Sequence, residues 1–233
     1  MGKRIVVAGA GHGGIAAAAM LSKRGFDVTV YERNAEDNLG YDWTDIFDKN
    51  GFVAAEMDIP GEDKYNLKHD MTFYGPSMTT ALHQNTPEDQ LEIQMERREI
   101  YRYLIANAKN CGVKFKFNTT VEKPIIFGNR VAGIKTDKAV EFADLVIDAA
   151  GIDSPLRTKL PLSFGIQNET AGYERFYVYR AFFNKTAEVD DVDKFKVLML
   201  HDNKLGICWV ATEEEHTDVL IGRFQPLDQR EVD

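Results

Sequence analysis

A glycine-rich segment near the amino terminus carries the clearest chemical signal in the sequence. The segment Gly9–Gly14 reads Gly-Ala-Gly-His-Gly-Gly and fits the pattern Gly-x-Gly-x-x-Gly. In such a loop the glycines permit a tight turn, a close approach of the backbone to a pyrophosphate, and packing of a helix on a strand. Glu32 follows Gly9 by 23 positions, where an acidic side chain accepts hydrogen bonds from an adenosine ribose. A site for the ADP half of a dinucleotide is therefore predicted at Gly9, Gly11, Gly13, Gly14 and Glu32.

The residues around this segment predict the strand–helix–strand unit that would position it. Arg4–Ala8 is a short β-branched run of the kind found in buried parallel strands. Ile15–Arg24 is rich in alanine and stops at Gly25, which predicts a helix with a glycine stop. Asp27–Glu32 predicts the second strand, and the crossover between two such strands is almost always right-handed. The predicted fold class is α/β, with a Rossmann-type dinucleotide-binding domain built on a parallel sheet.

Further along, the apolar pattern predicts one more helix and several strands. The helix spans Arg97–Asn110, where Ile100, Leu104 and Ala108 recur at four-residue spacing. Residues 33–66 show a weaker pattern and are expected to form an excursion with one short helix. Strands are expected at Val113–Phe117, Val121–Phe127, Arg130–Thr136 and Leu145–Ala149.

After Pro155 and Pro161 the pattern changes to that of a mostly antiparallel sheet, with strands expected at Glu174–Phe183, Phe195–Leu200, Leu205–Ala211 and Asp218–Phe224. We therefore predict a dinucleotide-binding domain over residues 1–165 and substrate-domain strands over 166–233. The segment 66–94, with strands at Asp70–Tyr74, Thr79–His83 and Leu91–Gln94, is expected either to stay with the first domain or to join the second sheet.

Composition excludes several classes of function. The formal net charge of −9 opposes binding to nucleic-acid phosphates, and no basic patch is visible. Cys111 and Cys208 have neither metal-ligand nor redox spacing, so no metal site is expected. The longest apolar run, Ile15–Leu21, is too short for a membrane span, and a cytoplasmic protein is expected.

Three segments together resemble a known family. The glycine segment, the pair Glu32-Arg33, and the run Ala143–Gly151 followed by Ser154-Pro155-Leu156-Arg157 are similar to FAD-dependent oxidoreductases of the p-hydroxybenzoate hydroxylase superfamily. Within it, the sequence resembles the geranylgeranyl reductase-like branch. The resemblance extends over residues 1–224 and is strongest in the first motif.

The resemblance implies FAD as the cofactor and adds four positions to the candidate site. Arg33 would lie beside the adenine or the phosphates, where a planar cation can stack or pair. Arg97, which opens the helix, would reach the flavin-side phosphate or the ribityl chain, and Arg98 is the competing candidate. Val121 would bond the adenine edge through its backbone, and Gly151 would let the chain pass close to the cofactor.

The sequence departs from the family pattern in three places. Ala150-Gly151 stands where many relatives have Asp-Gly, so one polar contact to the cofactor is missing. Asp42, Trp43 and Asp45 stand where relatives tend to carry glycines or a basic residue near the phosphates. A third motif, a Gly-Asp-Ala-Ala-like loop, is not found. The substrate-domain strands are therefore expected to be incomplete, and the chain alone is expected to bind FAD weakly or not at all and to turn over no substrate.

By resemblance, the protein is expected to be an FAD-dependent oxidoreductase that acts on a hydrophobic small molecule, such as an isoprenoid whose double bonds are reduced. A flavin monooxygenase of the same superfamily is the alternative, and a non-catalytic dinucleotide-binding module or fragment is a third. A flavin reductase needs no side-chain nucleophile, so no catalytic residue is assigned. Neither the substrate nor the external electron donor follows from the sequence.

Overall fold

A computed structural model describes residues 2–213 and 216–232. Its helices are α1 (His12–Lys23), α2 (Asn50–Ala54), α3 (Arg97–Asn110), α4 (Pro155–Thr158) and α5 (Gln229–Val232). Its strands are β1 (Arg4–Ala8), β2 (Asp27–Tyr31), β3 (Thr44–Phe47), β4 (Asn66–Leu67), β5 (Thr72–Tyr74), β6 (Ala81–His83), β7 (Ile93–Glu96), β8 (Lys114–Lys116), β9 (Val121–Phe127), β10 (Arg130–Thr136), β11 (Val140–Phe142), β12 (Leu145–Asp148), β13 (Tyr177–Asn184), β14 (Phe195–Met199), β15 (Gly206–Thr212) and β16 (His216–Arg223). None of the described helices is both long and apolar enough to cross a membrane.

A four-stranded parallel sheet organises the first part of the chain. Its strand order is β12-β1-β2-β8, with Ile5 opposite both Leu145 and Val28. The side chains of the last four residues of β1, Ile5–Ala8, are almost fully buried, as expected for a parallel strand between two covered faces. The predicted α/β class with a parallel sheet is confirmed.

Helices α1 and α3 pack together beside this sheet. Ile15 and Ala18 of α1 lie in one buried cluster with Ile100 and Leu104 of α3, so the predicted apolar face of α3 is a core face. The predicted start of α1 at Ile15 is wrong, because the helix begins at His12. The Ile15 amide donates to the Gly11 carbonyl at 3.0 Å, which places Gly11 at the N-cap and makes the glycine segment part of the first turn.

The excursion after β2 contains more structure than its sequence predicts. Besides α2 it forms β3, which pairs antiparallel with β7, with Thr44 opposite Glu96 and Phe47 opposite Ile93. Of the two alternatives left open for the segment 66–94, the predicted strand Leu91–Gln94 follows the first and stays with the first part of the chain. The strand instead begins at Ile93 and belongs to a three-stranded sheet with order β3-β7-β4.

The antiparallel strands β11-β10-β9 form a second small sheet in the first part of the chain. Gly128, with φ at +57°, turns the chain between β9 and β10 as expected. Strand β11 was not predicted, since its three residues, Val140–Phe142, are too few to show an alternating pattern.

The remaining strands form a six-stranded sheet with order β13-β16-β15-β14-β5-β6. Strand β5 pairs antiparallel with β6 and parallel with β14, so the segment around 66–94 contributes two strands to this sheet. By internal contacts, residues up to 66 group with 92–169, and residues 67–91 group with those from 170 onward. Whether residues 1–165 and 166–233 act as separate domains stays a prediction.

A largely but not fully buried carboxylate, that of Glu141, joins three strands of the first unit. Glu141 on β11 accepts hydrogen bonds from Arg4 Nη2 at 2.5 Å and from Lys116 Nζ at 2.7 Å, and its side chain is 13% exposed. Burial alone would raise the pKa of Glu141, but the bonds from Lys116 and Arg4 outweigh it and lower the pKa to about 2. The ionised form of Glu141 therefore stabilises the fold.

We expect Glu141→Gln to lower the free energy of unfolding at neutral pH by about 1–2 kcal/mol, allowing for solvent screening of Arg4 and Lys116. Because the folded-state pKa is depressed, the stabilisation is complete above about pH 4.5 and is lost as the pH falls toward 2. Urea unfolding at several pH values measures this difference. Glu122→Gln, which removes an exposed pair with Lys135, is the control and should change little. A difference that does not vary between pH 5 and pH 3 would contradict the assignment.

Candidate functional site

An open cavity of about 710 Å³ lies in the first unit at the carboxyl ends of β1 and β2. Its walls come from the glycine segment, the residues after β2, the start of β9 and the loop after β12. The described lining comprises residues 9–11, 31–34, 38–41, Tyr101, 119–121, 149–153 and Pro155. Ligands of α/β sheets bind at this edge of the strands.

The four predicted glycines have different roles in the structure. Gly9 has φ at +97°, and a Cβ there would lie 2.7 Å from the carbonyl carbon of Ala149. A Cβ at Gly14 would collide with the carbonyl oxygen of Gly9. These two glycines are required for the chain to pack. At Gly11 the nearest atom to a Cβ would be the Ala149 oxygen, 3.9 Å away, and at Gly13 nothing lies within 4 Å.

Of the four glycines in the segment Gly9–Gly14, only Gly11 combines open space with a place in the cavity wall. Gly13 is exposed but belongs to the lining of a different cavity. Gly11 is also the N-cap of α1 and has no side chain to bond the N–H groups of the first turn. With the positive end of the helix dipole, those groups form a site suited to an anion.

Glu32 is held rigidly at the end of β2. The Ala10 amide donates to Oε2 at 2.9 Å and the Asn34 amide donates to Oε1 at 2.8 Å. The side chain is 7% exposed and lines the cavity. Each carboxylate oxygen has further lone-pair capacity, so Glu32 can still accept hydroxyl donors from the cavity.

The structure places three of the other predicted residues at the same cavity. Arg33 is exposed and follows Glu32 in the wall, and Val121 is a buried wall residue at the start of β9. Gly151 has φ at +84° in the loop after β12, with nothing within 4 Å of a Cβ position.

That loop is shaped by an interaction that the sequence reasoning missed. The Ser154 hydroxyl, at 1% exposure, donates to the Asp148 carboxylate at 2.6–2.7 Å, and the Ala150 amide donates to the same carboxylate at 3.1 Å. Ser154 also caps α4. The dipeptide Ser154-Pro155 is the signal that could have revealed it, because serine at an N-cap followed by proline marks a helix start.

Arg97, like Gly13 and Gly14, is a predicted site residue that is not part of the described cavity wall. Its Nε donates to Asp45 Oδ2 at 2.8 Å, its Nη2 to Asp45 Oδ1, and its Nη1 to the Tyr41 hydroxyl. Burial opposes its charge, but the bonds and charge of Asp45 more than offset this and raise the pKa of Arg97. Its competitor Arg98 pairs on the surface with Asp42 at 3.0 Å.

His12, inside the glycine segment, is not part of the described wall of the cavity that Gly11 and Glu32 line. Its ring lies 4.6 Å from that of Tyr101, and burial lowers the pKa of the imidazole, so it is neutral at pH 7. It lines a separate, mostly apolar cavity of about 390 Å³. This setting fits a packing role.

Comparison with known proteins identifies relatives. Residues 7–59 match the NAD(P)-binding Rossmann-like domain family. The chain is 30% identical over 183 residues to a digeranylgeranylglycerophospholipid reductase of Haloferax volcanii, covering 73% of this chain and 42% of that protein. It is 25% identical over 203 residues to an FAD-dependent monooxygenase of Sarocladium schorii, covering 82% of this chain and 46% of that protein.

Among solved structures, a geranylgeranyl bacteriochlorophyll reductase-like protein of Thermoplasma acidophilum superposes with a TM-score of 0.76 at 21% identity. The match covers 95% of this chain and 56% of that one, which establishes a shared fold. The chain spans less than half the length of the two sequence relatives. It is therefore related, by sequence and by fold, to the FAD-dependent oxidoreductases of the geranylgeranyl reductase-like branch.

Proposed function

We propose that this chain binds FAD and forms part of an oxidoreductase that reduces double bonds of a hydrophobic, isoprenoid-type molecule. The observation that carries the proposal is the open face of Gly11. It lies at the amino terminus of α1 in the same cavity wall as the fixed carboxylate of Glu32. The reductase relative, whose name describes an isoprenoid lipid substrate, supports the choice of substrate class.

In this proposal the pyrophosphate lies against Gly11 and the first turn of α1. The adenosine ribose donates to Glu32, whose charge also disfavours the 2′-phosphate of NADP. Arg33 and the Val121 backbone contact the adenine, and Gly151 leaves room for the cofactor beside the loop after β12. When bound, FAD would supply the hydride and electron transfer, while these residues hold and orient it.

The six-stranded sheet offers an apolar face for a hydrophobic substrate. Tyr179, Ile221 and Cys208 lie opposite one another on β13, β16 and β15, so their side chains share one face. Trp209 is in register with Leu220 and therefore lies on the other face. We assign the substrate contacts to the face of Tyr179, and Trp209 to packing.

A monooxygenase is the second candidate, because one sequence relative has that name. The two reactions differ in their need for oxygen. A reductase would reduce an unsaturated isoprenoid lipid under anaerobic conditions, whereas a monooxygenase would consume oxygen together with its substrate.

The cofactor site is tested by a matched pair of substitutions. Gly11→Val places a side chain in the cavity, and we expect it to weaken FAD and ADP binding at least about a hundredfold, since about 3 kcal/mol of phosphate contacts would be lost. Gly13→Val adds the same side chain two positions away, where the new Cβ would meet open space outside this cavity. Because the backbone N–H of residue 13 stays in place, this variant should weaken both affinities much less than Gly11→Val. Flavin fluorescence quenching and calorimetry measure the affinities. Equal binding by the Gly11→Val and native proteins, or tighter binding of NADPH than of FAD, would contradict the proposal.

A further inference from the structure

The guanidinium of Arg97 is engaged by an internal carboxylate. Asp45 binds it through two parallel hydrogen bonds, the arrangement that an arginine fork makes with a carboxylate or a phosphate. The Arg97 and Asp45 side chains are 17% and 19% exposed. The pair is therefore screened by water much less than the Arg98–Asp42 pair, in which Asp42 is 89% exposed.

Arg97 nevertheless lies on the side of α3 that faces the cofactor cavity. Tyr101, four residues further along the helix and so on the same face, is part of the cavity wall. Tyr41 is also part of that wall, and the Arg97 guanidinium carbon lies 4.6 Å from the centre of its ring. Arg97 therefore contacts a residue of the cavity wall although it is not part of the described wall itself.

The backbone fixes this arrangement. Strand β3 presents Asp45 directly opposite Met95, two residues before Arg97, and the Arg97 amide donates to the Trp43 carbonyl at 2.8 Å. Gly40, with φ at +70°, lies so close to the start of α3 that a Cβ would be 2.8 Å from the Arg98 Cα. The segment that carries Tyr41 and Asp45 is therefore held against the first turn of α3.

We propose that Asp45 is an internal competitor for Arg97, so that this carboxylate limits the affinity of the site for the flavin-side half of the dinucleotide. The inference rests on the proposed function, because it assumes that FAD occupies the cavity. A phosphate and a carboxylate need the same two donors of the arginine fork, so both cannot bind it in the same way. While the Arg97–Asp45 ion pair is closed, the pair as a whole presents no net charge to the cavity, and Arg97 acts only by positioning Tyr41.

Four variants test this competition by equilibrium binding of FAD and of AMP, which lacks the second phosphate and the flavin. Asp45→Asn replaces the carboxylate that pairs with Arg97 by a neutral amide. We expect this variant to bind FAD about tenfold tighter at low salt, the gain from one charge-assisted hydrogen bond between Arg97 and a phosphate. AMP affinity should stay the same, and added salt should shrink the gain.

Arg97→Gln alone should change FAD affinity little, and Arg97→Gln combined with Asp45→Asn should abolish the gain. Asp42→Asn, which breaks the exposed pair, should bind both ligands like the native protein.

The outcomes separate this inference from the proposed function. Native protein that binds FAD and AMP, with no gain in Asp45→Asn, would overturn the competition alone. An equal gain for FAD and AMP would overturn it too, since it would reflect a general change in charge. A loss of FAD binding of tenfold or more in Arg97→Gln would show that Arg97 already contacts the cofactor. Failure of native protein to bind either ligand would overturn both proposals. Should thermal unfolding show that Asp45→Asn is not folded, Asp45→Ser provides the same loss of charge.

Discussion

Replacing Asp218 with alanine is expected to destabilise the six-stranded sheet by about 3–5 kcal/mol, because it leaves the buried charge of Arg180 without its carboxylate. Both side chains are 6% exposed. Arg180 Nε donates to Asp218 Oδ1 at 2.8 Å and Nη2 to Oδ2 at 2.5 Å. The loss should appear in urea unfolding followed by Trp209 fluorescence in a Trp43→Phe background, which leaves one tryptophan as the reporter.

Two controls separate this effect from a general loss of charge. Asp191→Asn removes a pair whose carboxylate is 89% exposed, and it should have little effect. Replacing both partners, as Arg180→Met with Asp218→Leu, should recover much of the stability, since a buried ion pair is often matched by apolar residues of similar size. A loss below about 1 kcal/mol in Asp218→Ala would mean that Arg180 finds another way to satisfy its charge.

Gly9→Ala is expected to destabilise the first unit by about 3 kcal/mol or more. The substitution combines a left-handed backbone, at φ +97°, with a Cβ that overlaps the Ala149 carbonyl group. Because that group belongs to the backbone next to β12, the clash cannot be relieved by a side-chain rotation. Chemical unfolding followed by Trp43 fluorescence in a Trp209→Phe background measures the loss.

Gly13→Ala is the matched control for this substitution. It adds the same methyl group four positions away, inside α1, where no atom lies within 4 Å of the new Cβ. Alanine is a better helix residue than glycine, so this variant should be neutral or more stable by up to about 1 kcal/mol. If Gly9→Ala proved as stable as Gly13→Ala, the glycine segment would be shown to adopt another conformation.

The parts of the fold that were predictable are those that depend on residues close in sequence. The unit of β1, α1 and β2 follows from a β-branched run, a glycine loop and an alanine-rich run within about thirty residues. Its start was misjudged only because glycines at 13 and 14 are poor helix formers in isolation, whereas here the Gly11 carbonyl accepts the first helical bond. Helix α3 was predicted with its observed bounds, Arg97–Asn110, because its apolar residues recur with the period of a helix.

The candidate site was predictable where it is formed by local spacing and not where it depends on long-range pairing. Gly11 and Glu32 are tied to each other by the geometry of one strand–helix–strand unit. Arg97 and Asp45 are 52 positions apart in the sequence. Their contact depends on the pairing of β3 with β7, and no local sequence pattern predicts that pairing. The four-residue strand β3, Thr44–Phe47, is half-buried throughout and therefore lacks the alternation that would have revealed it.

The parallel pairing of β5 with β14 has a consequence for the order of events during synthesis. About 120 residues separate the two strands in the chain, and the whole of residues 92–169, which complete the first unit, lies between them. At the usual elongation rate of about 5–20 residues per second, β5 and β6 would leave the ribosome about 6–24 s before β14 could pair with them. We therefore expect the β5–β6 hairpin to wait without its neighbour β14 while the first unit closes around its own strands, and to join a complete sheet only when the last strands form.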